Sequence, residues 1–116
     1  PPCLGAFKQE PITMLAHNVF FTLKDSSSES IDTLIASGKE YLSGHPGTVF
    51  FAIGSLNPDL DRPVNDVAFQ VALHVVFDSK ESHDRYQVDQ RHLDFIEKNK
   101  ASWEQVRVFD SDVSQS

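Results

Sequence analysis

Reactive side chains are few in these 116 residues: five histidines, two tyrosines and a single cysteine. Imidazoles titrate near neutral pH and are the commonest protein ligands for metals, so the histidines come first. No His-x-x-x-His spacing occurs, and a metal site would need imidazoles brought together from different elements. Strand alternation places His74 on one sheet face and His17, beside Val19 and Phe21, on the other; His45 precedes Pro46 in a loop, and His83 is expected on the exposed side of a helix. No metal is therefore expected, and no cofactor. Cys3 alone can form no intrachain disulfide and offers too few thiolates for a cysteine zinc site. That usage suits a reducing, cytoplasmic interior. Tyr86 and His92 remain, six residues apart in one helical region and able to do acid and base work. The plainer reading makes them packed side chains with satisfied hydrogen bonds.

The elements that must position these groups follow from periodicity. Residues 16–23 (AHNVFFTL) are rich in strand formers and end at a polar, serine-rich stretch. Ser26 and Glu29 fit a capping box, after which Ile31, Leu34, Ile35, Gly38 and Leu42 form one helical stripe that Gly44, Pro46 and Gly47 stop. Residues 48–53 (TVFFAI) form a short apolar run, as expected of a strand buried on both faces. A loop with Pro58 and Pro63 leads to residues 67–77, where Phe69, Val71, Leu73, Val75 and Phe77 share one face and Ala68, Gln70, Ala72, His74 and Val76 the other. Ser79 caps a broken second helix, through Tyr86 and then from about residue 90 to 99. Residues 103–109 (WEQVRVF) close the pattern as a fourth strand.

The order is βαββαβ: one α+β domain over residues 14–110, with a loose arm at 1–13 and a polar tail at 111–116. An antiparallel sheet normally leaves its uncovered face polar. Here Phe20, Ala68, Ala72 and Val76 make that face apolar. A second copy of the chain is the economical cover, because a two-fold axis makes one patch complementary to itself. A homodimer is expected.

Composition excludes whole classes of partner. Ten basic residues against 17 acidic ones give a formal charge of −7, without any basic cluster. Nucleic acid and anionic membrane surfaces would repel such a chain. No apolar run approaches the roughly 18 residues of a spanning helix, so a soluble protein is expected. Gly-rich phosphate loops, the Gly-x-Ser-x-Gly elbow and the dinucleotide fingerprint are all missing.

Four segments, HNVFFTLK at 17–24, HPGTVFFAIG at 45–54, VALHVVFDSKESHDRYQVDQRHLDF at 71–95 and SWEQVRVFD at 102–110, together resemble the stress-responsive A/B barrel (Dabb) family over roughly residues 14–110. The resemblance implies a ferredoxin-like protomer whose sheet joins its twin's into a dimeric α/β barrel. It also implies roles. Polyketide cyclases of that family use a tyrosine and a histidine at the positions of Tyr86 and His92, the histidine removing a proton and the tyrosine holding the oxygen that gathers charge. His17 matches a pocket position and Trp103 a cavity-lining aromatic. Two cyclase histidines fall at Val71 and Asp89 here, so the pocket is altered.

Three readings follow. The first is a homodimer of undefined, stress-related role that holds a small apolar molecule between helices and the sheet face of Val19, Phe21 and Leu73, with His17, Tyr86 and His92 as polar points and Trp103 beside them. The second is a cofactor-independent enzyme, a cyclase, aldol-type lyase or monooxygenase, using Tyr86 and His92. The third is a non-catalytic interaction protein.

Overall fold

A computed structural model describes residues 13–115. The expected arm and Cys3 thus lie outside the described residues, apart from Thr13, which opens the first strand. In chain order the elements are β1 (Thr13–Leu23), α1 (Ser28–Leu42), β2 (Thr48–Ser55), β3 (Val71–Phe77), α2 (Lys80–Val88), α3 (Gln90–Asn99), a 3₁₀ turn (Lys100–Ser102) and β4 (Trp103–Ser114). The four strands form one sheet in the order β2-β3-β1-β4 with every neighbour antiparallel, and all three helices belong to the same α+β, ferredoxin-like βαββαβ pattern. No helix among the described residues is long and apolar enough to cross a membrane.

Period-two alternation decides which residues meet the helices. In β1, Leu15, His17, Val19, Phe21 and Leu23 are buried while their neighbours are half-exposed, and Val71, Leu73, Val75 and Phe77 do the same in β3. Leu34 and Leu42 of α1, Tyr86 of α2 and Phe95 of α3 join them in one core. Each such apolar side chain removed from water contributes about 1.5–3 kcal/mol. A buried polar bridge locks the helical layer, since Asn99 Nδ2 donates to Ser37 Oγ at 2.8 Å and to the Phe95 carbonyl at 2.9 Å.

The break between α2 and α3 has a local cause. Ser79 caps α2 by accepting from the Ser82 amide at 3.2 Å, and Asp89 both closes α2 and caps α3 by accepting from the Arg91 amide at 2.9 Å. Gly47, at φ 84°, supports the start of α2 from below: its carbonyl accepts from the Asp78 amide at 2.8 Å.

Several expectations need correcting. The cap of α1 is Ser27, one residue later than the Ser26 frame, because Asp25 accepts from both the Ser27 amide and the Ser30 hydroxyl and moves the first turn along. β2 is not buried on both faces; it is an edge strand with Val49 57% and Phe50 55% exposed. β3 starts at Val71, leaving 67–70 in the preceding loop, where the Gln70 amide donates to the Phe21 carbonyl. β4 continues to Ser114, so most of the expected tail is strand, paired along β1 as far as Thr13↔Ser114.

The sheet face away from the helices is apolar, as its sequence requires. Phe20 there makes edge-on ring contacts with Phe69, Phe109 and His74 at 5.0, 5.8 and 6.0 Å between centroids.

Candidate functional site

Between the helix-facing side of the sheet and α2–α3 lies a cavity of about 250 Å³. β1 supplies His17, Val19 and Phe21 to its wall, β3 supplies Leu73, and β4 supplies Trp103. α2 brings Tyr86 and α3 brings His92. All seven residues singled out from sequence therefore share one cavity. Phe95 and Ile96 extend its apolar lining, and Val106 and Val108 of the exposed β4 edge leave it open on one side.

Tyr86 and His92 stand close, with ring centroids 4.6 Å apart. Tyr86 is 2% exposed, and neither its hydroxyl nor His92 Nδ1 has a hydrogen-bond partner among the described residues. The expected satisfied bonds are thus absent at these two atoms. Trp103 Nε1 is buried and unpartnered as well. Such groups cost about 1–3 kcal/mol each to leave unmatched. Burial pushes the Tyr86 phenol above its ordinary range, so it stays a donor. His92 is pushed down to about 4, first by burial and then by the neighbouring His17 and His45 rings, with the nearby Gln87 backbone pulling weakly the other way without a well-formed bond to Nδ1. At neutral pH it is uncharged, with one ring nitrogen able to accept.

Sequence reasoning missed three further side chains. Asp110, assigned to the end of the domain, lies directly opposite His17 in the β1–β4 register and takes a 2.5 Å hydrogen bond from His17 Nδ1. Because a carboxylate only accepts, the proton sits on Nδ1 and Nε2 keeps its lone pair. Burial lowers the His17 pKa most, against the upward pull of Asp110. His83 is not on an exposed helix side: its ring centroid is 5.0 Å from that of His17 and 5.7 Å from Phe77, and its Nε2 is buried without a partner. The missed signal was spacing, since His83 precedes Tyr86 by three residues and must share its helix face. His45, placed in a loop from sequence, is buried, donates from Nε2 to the Tyr41 carbonyl at 2.8 Å and packs 4.9 Å from the Tyr86 ring.

His74 lies on the opposite sheet face, as alternation requires, paired to Asn18 at 2.7 Å. It has no part in the cavity.

A ferredoxin-like α+β layer with a cavity between sheet and broken second helix defines a class, and the family within it follows from direct comparison. Residues 15–113 match the Stress responsive A/B Barrel Domain (Dabb) family, and the chain belongs to it. Among solved structures, a Dabb family protein with a ferredoxin-like fold from Mesorhizobium loti is 23% identical over 90% of this chain and 99% of its own, with a TM-score of 0.71. A dimeric ferredoxin-like protein of unknown function from Thermobifida fusca is 13% identical over 87% of this chain and 92% of its own, also at 0.71. The hydroxynitrile lyase from Passiflora edulis is 20% identical over 91% of this chain and 98% of its own, at 0.73. At these identities the likeness is one of fold. No curated protein matches the sequence.

Proposed function

We propose that the protein is a homodimer that binds one small, largely apolar molecule bearing a carbonyl or hydroxyl group in each cavity. The observation that carries this reading is the set of unpartnered polar atoms, Tyr86 Oη, His92 Nδ1 and Trp103 Nε1, in residues lining an otherwise apolar wall. A protonated phenol and a neutral imidazole offer one donor and one acceptor, which suits an oxygen function on a hydrocarbon body. A cavity of about 250 Å³ matches a compact molecule rather than a long chain. The dimer is supported by the apolar outer sheet face and by dimeric proteins of the same fold.

The test is a panel of lipophilic ketones and phenols. A ligand should raise the melting temperature by mass action and change the fluorescence of Trp103, the sole tryptophan, and Tyr86→Phe should weaken it about tenfold. A panel that shifts neither readout rejects the reading and favours a pure interaction role.

A second reading, a cofactor-independent cyclase or aldol-type lyase, is favoured by the contact between Tyr86 and His92. Tyr86 would donate to the oxygen that gathers charge while His92 accepts a carbon-bound proton. A hydroxynitrile lyase of similar fold supports this reading. His92→Ala should then fold normally and lose turnover of a poly-β-ketone; unchanged turnover removes this reading.

A further inference from the structure

His17, His83 and Asp110 each present a donor atom within 4.8 Å of the other two. They come from three elements, β1, α2 and β4, so no sequence spacing announces them. From this juxtaposition we infer a divalent transition-metal site of two imidazoles and one carboxylate on the cavity wall. The site is independent of the organic ligand proposed above and needs neither Tyr86 nor His92.

The donor chemistry selects the ion. Two nitrogens and one carboxylate oxygen suit zinc, or iron and cobalt in the same charge state, and are too nitrogen-rich for magnesium or calcium. Tetrahedral zinc places its donors about 3.3 Å apart. Here His17 Nδ1 and Asp110 Oδ1 share a proton at 2.5 Å, which an incoming ion displaces to solvent so that both atoms can ligate it, and the widest separation is at most 4.8 Å. Side-chain rotations on the order of 1 Å bring all three to bonding distance. Asp110 is free to make such a movement, with 43% of its side chain exposed on the open β4 edge.

His83 is arranged as a ligand is. Its Nδ1 lies 3.1 Å from Asp84 Oδ1, which holds the proton there and leaves Nε2 with a lone pair, and that Nε2 is buried with no partner among the described residues. A carboxylate behind an imidazole is the usual support of a metal-bound histidine, fixing its tautomer and ring orientation. Asp84 is itself steadied by Lys80 at 2.6 Å. The formal charge of −7 favours an incoming cation. Three protein ligands leave a coordination position open. As all three ligands also line the cavity, an ion there adjoins whatever the cavity holds.

The experiment uses untagged full-length chain carrying Cys3→Ser, freed of metal with a chelator, and titrates it with Co²⁺ and Zn²⁺. One Co²⁺ per chain should bind with a visible absorption band, and Zn²⁺ should displace it. His83→Leu should weaken binding at least about a hundredfold, whereas His74→Leu, on the far side of the sheet, should leave it unchanged. Asp84→Asn, an exposed change that does not endanger folding, should weaken it about tenfold through the orientation of His83. The proposal is overturned if the parent binds no Co²⁺ at millimolar concentration, or if His83→Leu and Asp84→Asn bind as the parent does. Binding of organic ligands by metal-free protein is scored separately, so either proposal can fail alone.

Discussion

His17 and Asp110 face each other across β1 and β4 in direct register, their Nδ1 and Oδ1 atoms 2.5 Å apart. This pair connects the buried floor of the cavity to its open edge, because His17 is 5% exposed while the Asp110 side chain is 43% exposed. A charged acceptor at the rim fixes the tautomer of a histidine at the floor.

Asp110→Asn tests that relationship. The amide still accepts a hydrogen bond but no longer favours the imidazolium, so the His17 pKa should fall further below its ordinary value. Given the exposure of Asp110, the stability cost should be about 1 kcal/mol. Nitrogen chemical shifts of the His17 ring followed through a pH titration read the effect, and a titration curve identical to the parent's contradicts it.

Acid should unfold the protein through its histidines before its carboxylates. The folded pKa of His92 is about 4, below the ordinary 6.5, and that of His17 is also lowered. Between those values the unfolded chain binds protons that the folded chain refuses, so this stability is complete above about pH 6.5 and is lost as pH falls towards 4. The shifted carboxylates, Asp25, Asp66, Asp78 and Asp84, act below their ordinary 3.8 and outside this window. For His92 the loss should be on the order of 1 kcal/mol once solvent screening on its open side is allowed for. Urea midpoints at pH 7 and 4.5 measure it, and His92→Gln should flatten the difference; equal differences in both proteins would refute the assignment.

Gly47→Ala should be among the more damaging small changes. Its φ of 84° disfavours any side chain, and an added Cβ would stand 2.1 Å from Ser82 Oγ and 2.9 Å from Asp78 Oδ1. The expected cost is about 2–3 kcal/mol in denaturant unfolding. Gly44, with φ 75° and open space around it, is the comparison: Gly44→Ala should cost only about 1 kcal/mol. Equal losses would mean that contact with α2 does not matter.

The outer sheet face supplies a fourth test. Phe109 is 55% exposed and contacts Phe20 there, outside the cavity lining. Phe109→Asp should leave the protomer folded and convert a dimer to a monomer by light scattering at micromolar concentration. A variant that keeps the parent's mass moves the interface elsewhere.

Much of the inner face was legible in the sequence because strand alternation is local: a period of two places His17, Val19, Phe21 and Leu73 without knowledge of any partner strand. What escaped depends on pairing. Nothing within residues 110–114 reveals that β1 must find partners as far back as Thr13, yet that need extends β4 and delivers Asp110 to His17. The edge position of β2 is likewise a property of sheet order, so the apolar run of Phe50 and Phe51 could not disclose it. His83 escaped although it stands three residues before Tyr86, because so short and polar a helix does not mark by composition which side is buried, and only the burial of Tyr86 decides it. The cap at Ser27 shifted because Asp25, outside the helix, chose the frame.

β1 is gripped on both long sides, by β3 and β4, and its successive side chains serve opposite tenants. His17 addresses Asp110 within, and the very next residue, Asn18, holds His74 without. Any substitution that tilts the strand for the benefit of one storey tilts the ceiling of the other. Engineers who wish to retune the cavity should expect the outer sheet face to answer, and mutations chosen to harden that face should be assayed for what they do to the cavity.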